Sequence, residues 1–129
     1  MKKIVCLDFD GVIHSYTSGW QGVTKIPDEP VRGAVQWIFR FLMKYCKGKN
    51  AVAELHIFSS RSRSRHGRQA MRWWLNKHGL PKWCVRLIKF PVYKPAAMVT
   101  IDDRAIQFTG KFPDPEELLN FQPWNKQDV

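Results

Sequence analysis

One pattern in the sequence restricts the fold more than any other. Three times, a short run rich in apolar residues stops at a polar cluster. Ile4-Val5-Cys6-Leu7 runs into Asp8 and Asp10, residues 52–58 into Ser59 and Ser60, and Met98-Val99-Thr100-Ile101 into Asp102 and Asp103. The unbroken apolar character of the first run marks a strand buried on both faces, as in a parallel sheet. Helical periodicity fills the intervals. Pro30 fits a first helical turn, and Val31, Ala34, Val35, Ile38, Phe41, Leu42 and Tyr45 recur at three- and four-residue spacing until Gly48. Ser62 or Ser64 opens a second helix that runs to about His78, with Gly79 and Pro81 beyond. Residues 85–88 and 106–108 are predicted as further short strands, 115–121 as a terminal helix and 9–28 as loop. This alternation predicts an α/β domain with a mainly parallel central sheet.

The 129 residues admit one domain, 1–129, and their 44% hydrophobic and 25% charged content is that of an ordinary globule. No apolar run approaches the roughly 20 residues of a membrane span. Lys2-Lys3 precedes a strand-length run and not a signal peptide, so a cytoplasmic chain is expected, neither secreted nor membrane-bound. Cys6, Cys46 and Cys84 are odd in number and form no C-x-x-C pair, which predicts reduced thiols without zinc or a disulfide framework.

Charge is distributed unevenly. The net charge is +10, and residues 55–101 hold ten Lys/Arg and no Asp or Glu, leaving eleven of each sign elsewhere. Such a block is either a solvated face or the footprint of a phosphate-bearing partner.

In open parallel sheets the carboxyl ends of the strands line the ligand crevice. If the three strands are neighbours, four carboxylates converge there. Their repulsion requires protonation or a cation. Carboxylate oxygens suit Mg²⁺, which keeps several waters and takes one or two protein carboxylates plus phosphate oxygens. Acidic strand ends beside a basic block therefore point to metal-assisted phosphate chemistry.

The residues also match a family pattern. Ile4-Val5-Cys6-Leu7-Asp8-Phe9-Asp10-Gly11-Val12-Ile13 resembles the first motif of the haloacid dehalogenase superfamily, an apolar strand entering D-x-D-G. Leu55-His56-Ile57-Phe58-Ser59 is similar to its second motif, Lys94 before Pro95 to its third, and Val99-Thr100-Ile101-Asp102-Asp103-Arg104 to its fourth, all in the family's order. Ser59-Ser60-Arg61 and the Asp102-Asp103-Arg104 string also resemble the phosphatase half of phage polynucleotide kinase-phosphatases.

The resemblance implies a three-layer, Rossmann-like fold and a set of roles. Asp8 would be the nucleophile that forms an aspartyl-phosphate. Asp10 would protonate the leaving oxygen and then activate water. Aspartate at this position, where the family's ATPases carry threonine, implies a phosphatase. Mg²⁺ would be held by Asp8, the Asp10 carbonyl and Asp103, with Asp102 orienting water or Lys94. Ser59, with Ser60 as competitor, would donate to a phosphoryl oxygen. Lys94, with Lys89 as competitor, would pair with the phosphoryl group, and Gly11 would lie against the substrate.

Spacing speaks about a cap. Only 51 residues separate Asp8 from Ser59 and 35 separate Ser59 from Lys94, too few for a cap domain beside the expected helices. The local covering segment, lid or ordinary hairpin, is 14–26. Arg61, Arg63, Arg65 and Arg68 follow the second-motif serine and are assigned to substrate phosphates. Arg61, Arg65, Arg68 and Arg72 would share a helix face if the helix starts early. Core is the default for the six tryptophans. Trp20 and Trp83 are the better candidates for base stacking. His56 reads as a strand residue, and His14, His66 and His78 as surface or lid.

The expected function is a Mg²⁺-dependent phosphomonoester hydrolase acting on nucleotide or nucleic-acid ends. The alternatives are the same chemistry on a small phosphorylated metabolite, or an idle domain that binds nucleic acid through its basic face.

Overall fold

The computed structural model describes residues 1–126. Three strands, β1 (Lys3–Leu7), β2 (Ala53–Ile57) and β3 (Val99–Ile101), form a sheet of order β2-β1-β3 in which both pairs are parallel. The chain is thus an α/β protein with an open parallel sheet, and β1 is central. Leu7, Leu55 and Ile57 join Ile38, Leu42, Met71, Trp74 and Leu75 in one core cluster. Among the described residues, no helix is long and apolar enough to cross a membrane.

Helix α1 (Ala34–Phe41) continues into a π-helical turn, Leu42–Cys46. It begins four residues later than the periodicity predicts. Gly33 caps it at φ 84, a left-handed conformation that glycine adopts without steric cost. Pro30 lies outside the helix, bridged to His14, because Val31 N–H donates to Ile13 O at 2.8 Å and Ser15 N–H to Glu29 O at 2.9 Å. Helix α2 (Arg65–Lys77) uses Ser64 and not Ser62 as its cap, the Ser64 hydroxyl accepting from Gly67 N–H.

Two expected strands are absent. The residues of 85–88 lie in and just after a short helix, α3 (Lys82–Val85), because Cys84, Val85 and Ile88 bury themselves at helical spacing after Pro81. Strand pairing starts one residue later, where Lys89 N–H donates to Leu55 O and Ile57 N–H donates to Lys89 O, both at 2.9 Å. Residues 106–108 pair with no strand among the described residues, and Ile106 and Phe108 are exposed. The terminal helix is α4 (Pro115–Leu119), capped by Asp114. Of the tryptophans only Trp74 is fully buried, so the core default fails for Trp20, Trp37, Trp73, Trp83 and Trp124. His14 lies in the interior, not at the surface, held by partners described below.

Candidate active site

The parallel register builds the site. Leu7 lies opposite Ile57 on one side and Ile101 on the other, so Asp8, Phe58 and Asp102 leave the sheet side by side at its carboxyl edge. Asp8 N–H donates to Ile101 O at 2.9 Å, and Phe58 N–H to Leu7 O at 3.0 Å. Successive side chains point to opposite faces of a sheet, so Cys6 and Asp8 share a face with Thr100 and Asp102. With Phe58, Ser59, Ser60 and Lys94, these four line a cavity of about 210 Å³. Five of the expected site residues therefore meet around one hollow: Asp8, Ser59, Ser60, Lys94 and Asp102. Lys94 is exposed and lines the cavity from its own loop.

Carboxylate oxygens of Asp8, Asp102 and Asp103 all lie within 4.8 Å of one another. The Asp103 side chain is 2% exposed, and Arg104 Nε stands 3.8 Å from its Oδ2. Among the described residues, its buried Oδ1 has no hydrogen-bond partner. Gly11 makes room for this carboxylate. It has φ +87, and a Cβ built there would collide with the Asp103 side chain. Asp8 Oδ1 accepts from Phe9 N–H at 2.8 Å. Burial, the Asp103 side chain and the charges of Asp102 and Asp103 push Asp8 up to about 8, while the Phe9 bond opposes the rise. Three carboxylates that bring hard oxygen donors to one point, with Asp103 also carrying a buried oxygen unpartnered among the described residues, fit a divalent cation.

Asp10 faces a different set of partners. His14 Nδ1 lies 2.9 Å from its Oδ1. His14 Nε2 accepts from Asp28 N–H at 3.1 Å, so in the neutral ring Nδ1 carries the proton and donates to Asp10. Arg61 Nε lies 3.0 Å from Asp10 Oδ2 and Nη2 3.2 Å from Oδ1. Arg61 Nη1 donates to Gly22 O at 2.9 Å and Val23 O at 2.7 Å. Arg61 has no solvent exposure. Its guanidinium is thus committed to Asp10 and to the 14–26 segment, not to an open phosphate-binding face. Because α2 starts at Arg65, Arg61 also falls outside the helix, and the expected four-arginine stripe does not form. Arg63 and Arg65 are exposed, Arg68 Nη1 donates to Ser62 O at 2.7 Å, and Arg72 lies over the Phe90 ring.

Ser59 is buried, and its hydroxyl accepts from Arg61 N–H at 3.0 Å. Ser60 is exposed beside it. Both line the cavity, and the Ser59 hydroxyl donates to Met71 Sδ at 3.8 Å.

Several residues of this site carry no mark in the sequence. Trp124 Nε1 donates to Gly11 O at 2.8 Å across 113 residues, and Asn125 Nδ2 to Ser15 O at 3.1 Å. The end of the described chain thus braces the D-x-D-G turn. No periodicity or spacing signals a contact of that range. His14 had a weaker local signal, standing four residues after Asp10.

Compared with known proteins, the chain matches no family model, no curated sequence and no solved structure.

Proposed function

We propose that this chain is a divalent-cation-dependent phosphomonoester hydrolase of the haloacid dehalogenase type, capless and of three-layer, Rossmann-like design. One observation carries the reading: Asp8, Asp102 and Asp103 converge at adjoining strand ends while Ser59 and Lys94 line the same cavity as Asp8. A binding domain has no need of that combination.

Asp8, Asp103 and the Asp10 carbonyl would hold Mg²⁺, with Asp102 beside them. Bound there, Mg²⁺ neutralises the carboxylates and screens the oxygens of the transferring group. The Asp8 carboxylate attacks phosphorus, the bond from phosphorus to the leaving oxygen breaks, and an aspartyl-phosphate forms. Asp10, ion-paired with Arg61 in the free protein, takes up a proton from solvent as that pairing loosens and gives it to the leaving oxygen. In the second step Asp10 takes a proton from water, whose oxygen attacks phosphorus and releases phosphate and the free Asp8 carboxylate. Arg61 and His14 hold Asp10, so it exchanges one of those bonds for one to the leaving oxygen. Ser59 or Ser60 and Lys94 hold the phosphoryl oxygens. Arg63, exposed on the turn that follows these serines, and Arg65, exposed at the start of α2, favour substrates with further phosphates, and so nucleotide or nucleic-acid ends.

The test is phosphate release with Mg²⁺ from nucleotides, 3′- and 5′-phosphorylated oligonucleotides and sugar phosphates. Asp8→Asn should abolish it, since the amide is nearly isosteric and a far poorer nucleophile. Retention of more than about a tenth of the rate, under ~1.4 kcal/mol of barrier, would rule out covalent catalysis by Asp8.

A further inference from the structure

Segment 14–26 is tied down, and this decides what it can do. Its ends are joined by the backbone bonds between 13–15 and 29–31. Ser18 N–H donates to Asp28 Oδ2 at 2.9 Å, and the buried His14 binds both Asp10 and Asp28 N–H. Arg61 holds the carbonyls of Gly22 and Val23. Between these anchors stands Trp20. The Arg61 guanidinium carbon lies 4.8 Å from its ring centroid, yet the residue is 48% exposed. One face of the indole is therefore backed by a buried cation and the other meets solvent.

Tyr16 belongs to the same segment. It is the one non-glycine among the described residues with positive φ, 62°, a conformation that costs a bulky side chain energy and is kept where surrounding structure enforces it. Burial and the charge of Asp10 raise its phenol, which also feels Arg61, Arg104 and Asp103. Its ring stands edge-on to His14. Segment 14–26 thus sets Tyr16 within the field of Asp10 and Trp20 on the guanidinium that binds Asp10.

The contacts form a chain. Asp10 pairs with Arg61, and Arg61 stacks on Trp20. If Asp10 protonates the leaving oxygen, the Arg61–Trp20 stack is next to the proton donor that the leaving group meets. A rigid indole with one open face takes a flat ring, and every nucleobase has one. The other sequence candidate, Trp83, packs against Phe39 and Lys47, whereas Trp20 packs on the guanidinium that binds Asp10. We propose that the solvent face of Trp20 is the seat of the nucleobase carried by the leaving group. The site would then read the terminal nucleoside as well as its phosphate. This inference rests on the hydrolase reading above.

The experiment compares two oligonucleotides with identical phosphates, one ending in a phosphorylated nucleoside and one in a phosphorylated abasic tetrahydrofuran, in 3′ and 5′ versions. The wild-type chain should prefer the base-bearing end by about tenfold or more in kcat/KM, the scale of one base–aromatic stack. Trp20→Ala should erase that preference, mainly through KM, and Trp20→Phe should keep much of it. Damage to the fold or to the support of Asp10 lowers both substrates alike and leaves the ratio unchanged. A wild type that treats both ends equally, or a Trp20→Ala variant that keeps the preference, overturns the proposal. If neither end loses phosphate, the hydrolase reading fails. Equilibrium binding of the same oligonucleotides by wild type and Trp20→Ala then decides the stacking seat separately. Binding that depends on the terminal base and is lost in Trp20→Ala supports it, and binding indifferent to the base overturns it.

Discussion

Arg61 and Asp10, 51 residues apart, form an ion pair in which Nε and Nη2 of a fully buried guanidinium reach both carboxylate oxygens. The other terminal nitrogen, Nη1, holds two carbonyls of segment 14–26. One side chain therefore orients the proposed acid and anchors the segment beside it.

That double role predicts how Arg61 variants behave. Arg61→Lys keeps a charge but loses the planar fork. Its kcat should fall about a hundredfold on an alkyl phosphate, the lower range for losing an oriented general acid. On nitrophenyl phosphate, whose leaving group needs little protonation, the loss should be several times smaller. Steady-state kinetics on both substrates checks this, and an equal loss on each would show that Arg61 serves the fold alone.

Metal-free stability should depend on pH through Asp8. Its folded value of about 8 lies above the ordinary 3.8. Between these values the folded protein binds more protons than the unfolded chain, so this group's contribution to stability falls as pH rises, until the folded value is passed. Asp8→Asn removes the titration. Its Tm in chelator should be close to wild type near pH 4 and increasingly above it towards pH 8. Mg²⁺ should raise the wild-type Tm more at pH 8 than at pH 5. Thermal melts across this range read both effects, and a variant-to-wild-type Tm difference that does not change with pH would contradict the assignment.

Gly11→Ala should be severe despite its small size. The new methyl would meet the Asp103 carboxylate, and φ +87 disfavours any side chain. Displacing Asp103 should weaken Mg²⁺ binding at least tenfold, measured by calorimetric titration. Substitution of Gly19, where a Cβ would have nothing within 4 Å, controls for the backbone cost alone.

Arg63 and Arg65 should matter only for substrates with more than one phosphate. Replacing both with Ala should raise KM for a phosphorylated oligonucleotide and leave nitrophenyl phosphate nearly unaffected. The salt dependence of the oligonucleotide reaction should become shallower, because fewer counterions are released. Arg68 is kept in place because its side chain already binds Ser62 O. No change for either substrate would make the two arginines a solvated face and favour a small phosphorylated metabolite.

The local signals in the sequence determined the parallel α/β arrangement and the strand-end placement of Asp8, Ser59 and Asp102. Short apolar runs, helical periodicity and polar stops are each written in a few consecutive residues. The same kind of signal misled at 85–88, where an apolar run of strand length packs from a helical turn, and at Pro30, where a left-handed Gly33 delays the helix. Only the tertiary structure decided that Arg61 turns inward to Asp10, that His14 is buried beneath it, and that Trp124 reaches back to Gly11. The Arg61 and Trp124 contacts join residues far apart in the chain, which share no local pattern. They arise when the sheet register brings chain ends together and buried polar groups must find partners wherever the fold has placed them.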